Sequence, residues 1–235
     1  MEIKSESPQR LQTLFAEVAP TYERANRILT FGLDVRWRRK AARIAAEGGG
    51  SVWMDVCSGT GETAANLRAL APPATRVISL DFCPPMLARA AAKPAGRAID
   101  FVLGDVKALP FSDASLDLIT ISFATRNINL SREILGRTFA EFRRVLKPGG
   151  RFVNVETSQP RSRAVRALFH AYVRLAVRRV GTLISGSRAG YAYLGATIPR
   201  FYPPAELEAI LKEAGFVEVR VKSLLLGAAA IHIAR

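Results

Sequence analysis

Cysteine is nearly absent from this 235-residue chain: Cys57 and Cys83 are the only two. Two thiols cannot build a disulfide framework, which excludes a small cross-linked secreted scaffold and leads us to expect the cytoplasm. Their small side chains suit packed strand ends, and a bridge between them stands as the alternative. Histidine is as scarce. His170 and His232 lie far apart, so no metal-ligand spacing exists and no metal is expected. No run of about 18 apolar residues occurs, which excludes a spanning helix. The opening MEIKSESPQRLQ has no apolar core of the kind a signal peptide carries. Acids are in deficit: 20 Asp+Glu against 34 Lys+Arg leave a net charge of +14. That excess suits a polyanionic partner, either nucleic acid or an anionic membrane surface. Genome composition or heat adaptation explains it equally well.

What the chain does have is apolar material. At 49% hydrophobic content, one large α/β domain is expected. It is organised around Val52–Glu62, which reads as a buried strand, a small-residue turn and the start of a helix. Gly59 and Gly61 let backbone amides approach a ligand closely. The helix that follows aims unpaired N–H groups back at the turn. Twenty residues past Gly61, Val77–Leu80 ends in Asp81, the offset at which an α/β nucleotide site holds a ribose.

Gly59-Thr-Gly61-Glu-Thr-Ala64 also satisfies the loose dinucleotide pattern GxGxxA. Asp55, just before the glycines, would repel a pyrophosphate but attract the amino group of a cationic ligand. The stretch Gly104–Phe111 resembles the adenine-side loop of class I methyltransferases. These two features favour S-adenosylmethionine over NAD.

Residues 8–47 are expected to be mainly helical, with Leu11, Leu14, Phe15 and Val18 forming one apolar stripe. Tyr22, Phe31 and Trp37 either pack this cap onto the sheet or line a lid and an apolar substrate pocket. From Val52 strands and helices alternate, the pattern of a doubly wound parallel sheet. Strands are predicted at 52–56, 76–81, 99–103, 116–122 and 151–156, with helices near 61–70, 84–93 and 131–146. A last helix over 205–214 and two antiparallel strands close the sheet. The strand ends carry Asp55, Asp81, Asp105, Ser122 and Glu156, a bias to acids that suits a sulfonium ligand. Between them, Arg161–Arg179 reads as a basic amphipathic helix. It is either a surface helix with snorkelling arginines or a dock for anionic lipid headgroups. An aromatic-rich stretch, Tyr191–Tyr202, follows it.

Four segments together resemble the menaquinone/ubiquinone-biosynthesis C-methyltransferases: Tyr22–Trp37, Asp55–Gly61, Ile119–Asn127 and Arg144–Gly150. The chain departs from that family's pattern at Glu23, Ala25, Asp34 and Ala124-Thr125. The resemblance implies a seven-stranded, mostly parallel, doubly wound (Rossmann-like) class I methyltransferase sheet. A helical cap would cover residues 1–50 and the methyltransferase domain 51–235, with an insertion at about 160–203. It implies donor contacts at Thr60, Asp81, Asp105, Val106 and Ser122, to which Asp55, Gly59, Gly61 and Phe82 are added here. It also implies substrate-side roles for Tyr22, Arg126 and Asn127.

The implied reaction is S-adenosylmethionine-dependent C-methylation of a polyprenylated quinol, with demethylmenaquinol to menaquinol favoured. Arg126 would stabilise a phenolate, while Asn127 and Tyr22 orient the hydroxyl or a water. The structural alternative is that Arg126 pairs with Asp105 or Glu156. A cytoplasmic enzyme, peripheral on the inner face of an anionic membrane, is expected, with a homodimer allowed and no nucleic-acid partner. The competing readings are a methyltransferase acting on RNA or another small molecule, and an NAD-binding oxidoreductase. Against these stand the lack of [DN]PP[FYW] or Pro-Cys after strand four and the lack of a Tyr-xxx-Lys pair.

Overall fold

Strands buried on both faces of a sheet need near-continuous apolar runs. The computed structural model, which describes residues 8–129 and 131–235, places such runs at the centre of the molecule. Residues 1–7 of the expected cap, and with them much of the stretch read for a signal peptide, lie outside the described residues. The strands are β1 (Val52–Val56), β2 (Arg76–Asp81), β3 (Asp100–Leu103), β4 (Leu116–Ser122), β5 (Leu146–Thr157), β6 (Val219–Leu224) and β7 (Ala229–Ala234). They form one sheet in the order β3-β2-β1-β4-β5-β7-β6. The first five are mutually parallel, while β7 runs antiparallel to both β5 and β6. The order reverses beside β1. In open α/β sheets a ligand crevice opens there, at the carboxyl ends of the strands.

The predicted fifth strand, 151–156, proves longer. Leu116 pairs with Leu146 and Leu118 with Arg151, so residues 147–150 loop out of the ladder. Their Pro and two Gly form a bulge within the strand.

Three helices precede the sheet: α1 (Pro8–Val18), α2 (Tyr22–Leu29) and α3 (Leu33–Ala46). Around the sheet lie α4 (Glu62–Leu70), α5 (Pro84–Ala91), a single turn α6 (Thr125–Ile128) and α7 (Arg132–Val145). The insertion consists of α8 (Arg163–Tyr172), α9 (Arg178–Ser185) and α10 (Arg188–Thr197), and α11 (Pro204–Glu213) follows. A wider π turn, Val173–Val177, joins α8 to α9.

On one face of the sheet, Phe139, Phe142, Phe152 and Phe216 stack at ring-centroid distances of 5.4 to 6.1 Å. On the other, α3 and α4 bury Ile44 and Leu67 against Trp53. A third cluster joins the cap to the insertion: Val18, Ala25 and Leu29 pack with Val173, Val177 and Tyr191. Gly181 makes this packing possible, because a Cβ there would stand 2.0 Å from the Tyr191 ring. The cap and the insertion thus share one apolar seam, which roofs the carboxyl ends of β1 and β4.

Candidate active site

At the end of β1 the chain turns through Cys57, Gly59 and Gly61, all at positive φ (48°, 55° and 77°). A Cβ on Gly61 would meet the Cβ of Ala90 at 2.8 Å, so α5 packs directly against the turn. Cys57 adopts this conformation without glycine's freedom, the kind of local strain that gathers at functional sites. Asp81, at the end of β2, accepts the Gly59 N–H at 2.8 Å on Oδ2 and the Cys83 N–H at 2.9 Å on Oδ1. Burial raises its pKa, against the pull of these backbone bonds. Both cysteines are free thiols.

A narrow cleft opens over this turn, lined by Gly59, Asp81, Phe82, Asp105, Val106 and Ser122. Six of the nine residues expected around a methyl donor therefore meet in one place. The other three lie elsewhere. Asp55 faces inward, where Thr120 donates to its Oδ1 at 2.7 Å and Oδ2 has no partner. Burial pushes its carboxyl up to about 7, opposed by the Thr120 hydroxyl and the Arg38 charge. Thr60 lines an outer groove, and Lys93 donates to its carbonyl at 2.7 Å. Gly61 lies directly against α5. The open space in the cleft is about 90 Å³, below the roughly 300–1,000 Å³ usual for ligand sites. α1 closes it: Leu11 and Phe15 line the cleft, and Gln12 Nε2 donates to the Phe82 carbonyl at 2.6 Å.

Next to the cleft lies a cavity of about 520 Å³, walled by Phe15, Trp37, Phe169, Tyr172 and Tyr191. Leu11, Phe15, Tyr22 and Phe123 line both spaces and so form the wall they share. Phe123 is held at φ 58°, its ring 6.2 Å from Trp37 and under the Arg38 guanidinium at 4.9 Å.

Arg126 and Asn127 occupy the single turn α6. Successive residues on a helix point about 100° apart. Accordingly Arg126 lines the large cavity and Asn127 the cleft, so the pair expected on the substrate side is divided between the two. Arg126 Nη1 donates to Glu156 Oε1 at 2.7 Å, which is the pairing the structural alternative named. Its Nε is buried without a partner, as is Oδ1 of Asn127. Asp34 and Arg38 also line the large cavity. Sequence reasoning missed these two, together with Phe15 and Phe123; only the i, i+4 spacing of Asp34 and Arg38 hinted at a shared face.

A nucleotide-type cleft at the switch point of this strand order, beside a largely apolar cavity, defines the class: the fold is that of the S-adenosylmethionine-dependent methyltransferases. The "SAM dependent methyltransferase from Aquifex aeolicus" superposes with a TM-score of 0.55 at 17% identity, covering 83% of this chain and 88% of that one. The ubiE/COQ5 methyltransferase family model matches residues 2–235, and the chain belongs to that family. The demethylmenaquinone methyltransferase of Thermus thermophilus is 40% identical over 222 residues, 94% of this chain and 98% of the relative. The ubiquinone/menaquinone biosynthesis C-methyltransferase UbiE of Desulfotalea psychrophila is 33% identical over 222 residues, 94% and 88% respectively.

Proposed function

We propose that this protein transfers a methyl group from S-adenosylmethionine to a ring carbon of a polyprenylated quinol, converting demethylmenaquinol to menaquinol. The observation that carries the reading is the wall the two spaces share. An aromatic-walled cavity of about 520 Å³, lined by the buried Arg126 guanidinium, shares Tyr22 and Phe123 with a glycine-turn cleft. The names of the relatives point the same way.

The cleft residues suit the donor. Asp81 keeps lone pairs free for ribose hydroxyls, Phe82 and Val106 offer apolar walls, and Asn127 presents an unpartnered oxygen. When bound, the donor supplies an electrophilic methyl group on a sulfonium. The remaining work falls to the chain. Phe123 and Tyr22 hold the ring against the cleft, and positioning of this kind supplies much of a methyl transfer's acceleration. Arg126 favours the ionised form of the ring hydroxyl, while Glu156 fixes its guanidinium. α1 shuts out water.

The polyprenyl tail would leave a bilayer only at about 0.8 kcal/mol per exposed CH₂, so the protein must come to the headgroups. No helix among the described residues is long and apolar enough to cross a membrane. Four residues that line the large cavity are instead exposed at its rim: Phe31 at 83%, Leu226 at 78%, Leu168 at 73% and Leu225 at 55%. Three of them stand at positive φ. Backbone strain that displays large apolar side chains to water suits a surface that docks on lipid. Arg174 and Arg178, exposed on the same helical run as Leu168, favour anionic lipid. The protein would then work from the cytoplasmic face.

The test is incubation with labelled S-adenosylmethionine and either short-chain demethylmenaquinol or bulk RNA. Label in the quinol alone supports the reading; label in RNA alone overturns it.

A further inference from the structure

The quinol reading needs a group that takes the hydroxyl proton, and the lining of the large cavity narrows the choice. Among the described residues that line it there is no histidine and no lysine, and Asp34 is the one carboxylate. His170 pairs with Gln159, and His232 pairs with the Pro204 carbonyl. Asp34 is 2% exposed, at the start of α3. Its Oδ1 lies 2.7 Å from the Thr30 hydroxyl, whereas its Oδ2 is buried and has no partner. A buried acceptor left without a donor is costly, and it is accounted for if a ligand brings the donor. One turn along the same helix, Arg38 stacks on Phe123, the side chain shared by both spaces. Asp34 therefore stands one helical turn from the wall through which the two spaces meet.

Resting on the quinol reading, we propose that Asp34 is the proton acceptor of the reaction, taking the ring hydroxyl proton on Oδ2. The O–H bond breaks and its electron pair stays on oxygen, delocalised onto the ring carbon. That carbon bonds the methyl group as the S–CH₃ bond breaks, its electron pair remaining on sulfur. The ring C–H proton then leaves to water, aromaticity returns, and the proton held by Asp34 goes back to the phenolate oxygen. One proton is released overall. The charged groups about Asp34 are Arg38 on its own helix and Glu62 from α4, which itself pairs with Arg38 and with Arg27 from α2. Tyr22, Tyr172, Tyr191 and Arg126 line the cavity with it.

The experiment measures kcat and KM of the full chain with labelled S-adenosylmethionine and short-chain demethylmenaquinol, from about pH 6 to about pH 10. Asp34→Asn is expected to lower kcat by about 10²- to 10⁴-fold at neutral pH. The thermal shift by S-adenosylhomocysteine should be kept, and the rate should recover at alkaline pH, where the quinol ionises unaided. Thr30→Val strips the hydroxyl from Oδ1 and keeps the carboxylate, so it is expected to move the acid limb of the kcat profile upward. Wild-type kcat in Asp34→Asn overturns the assignment. So does a loss that persists unchanged at alkaline pH, which marks a structural role, or an unmoved limb in Thr30→Val. A wild-type chain that transfers no label to the quinol overturns the quinol reading, and the assignment with it.

Discussion

Arg126 and Glu156 close on one another inside the protein: Nη1 and Oε1 stand 2.7 Å apart, with the side chains 8% and 1% exposed. Removing one member of such a pair leaves a bare buried charge, at about 3–5 kcal/mol. Arg126→Ala is therefore expected to lose about that much stability together with about 10²-fold or more in turnover. Arg126→Met combined with Glu156→Gln removes both charges and should recover most of the stability but none of the turnover. Urea unfolding and methyl transfer, measured on both variants, separate the two effects. Normal turnover in the double variant would assign the pair to folding alone.

Asp81 bridges the Gly59 and Cys83 amides at the floor of the cleft. Asp81→Ala should weaken donor binding by roughly 2–3 kcal/mol. In a thermal melt, S-adenosylhomocysteine should stabilise the wild type and leave the variant nearly unmoved, while NAD shifts neither. Undiminished affinity in the variant would remove Asp81 from the donor site.

Asp55 gives a pH signature. Its carboxyl ordinarily titrates at 3.8, and burial lifts it to about 7. Between those values the folded protein holds a proton that the unfolded chain has released. Stability should accordingly fall as pH rises from about 4 to about 7 and then level off, by at most about 4 kcal/mol. Asp55→Asn, which cannot titrate, should flatten that part of the curve. Parallel slopes in the two proteins would mean that other groups carry the dependence.

Vesicle sedimentation tests the exposed rim. Changing Phe31, Leu168 and Leu226 to serine should reduce binding to anionic vesicles at every salt concentration. Changing Arg166, Arg174 and Arg178 to glutamate should abolish the salt-sensitive part, worth up to about 1 kcal/mol per arginine. The glutamate variant should keep activity on a detergent-soluble, short-tailed quinol. Unaltered vesicle binding by both would show that the rim merely covers the fold.

The sheet was largely legible because its strands are apolar runs bounded by breakers; β1, β2 and β4 fall where the periodicity predicted them. The grouping of Gly59, Asp81 and Asp105 in one cleft was legible for a related reason: turn glycines and a strand-terminal acid have fixed places in such a sheet. Which way a side chain faces was less accessible. Arg126 and Asn127 are adjacent in sequence, yet the turn of α6 sends them into different spaces. Asp55 matched the sequence pattern, but the register that sets it opposite Thr120 turns it inward. The large cavity was the hardest to foresee. Its walls come from α1, α2, α3 and the insertion, brought together only by a seam between distant parts of the chain, such as the fit of Tyr191 over Gly181.

Cys57 stands in the cleft with Asp81, Asp55 and Asp105 near it, and burial together with these three acids lifts its thiol well above the ordinary value. Thiolates are the nucleophilic form of cysteine, and here that form is suppressed. A sulfonium methyl group held in the cleft would face sulfur that is a poor competitor for it. Asp81 and Asp105, which line the cleft and suit a cationic donor, would thereby also guard the protein against alkylating itself.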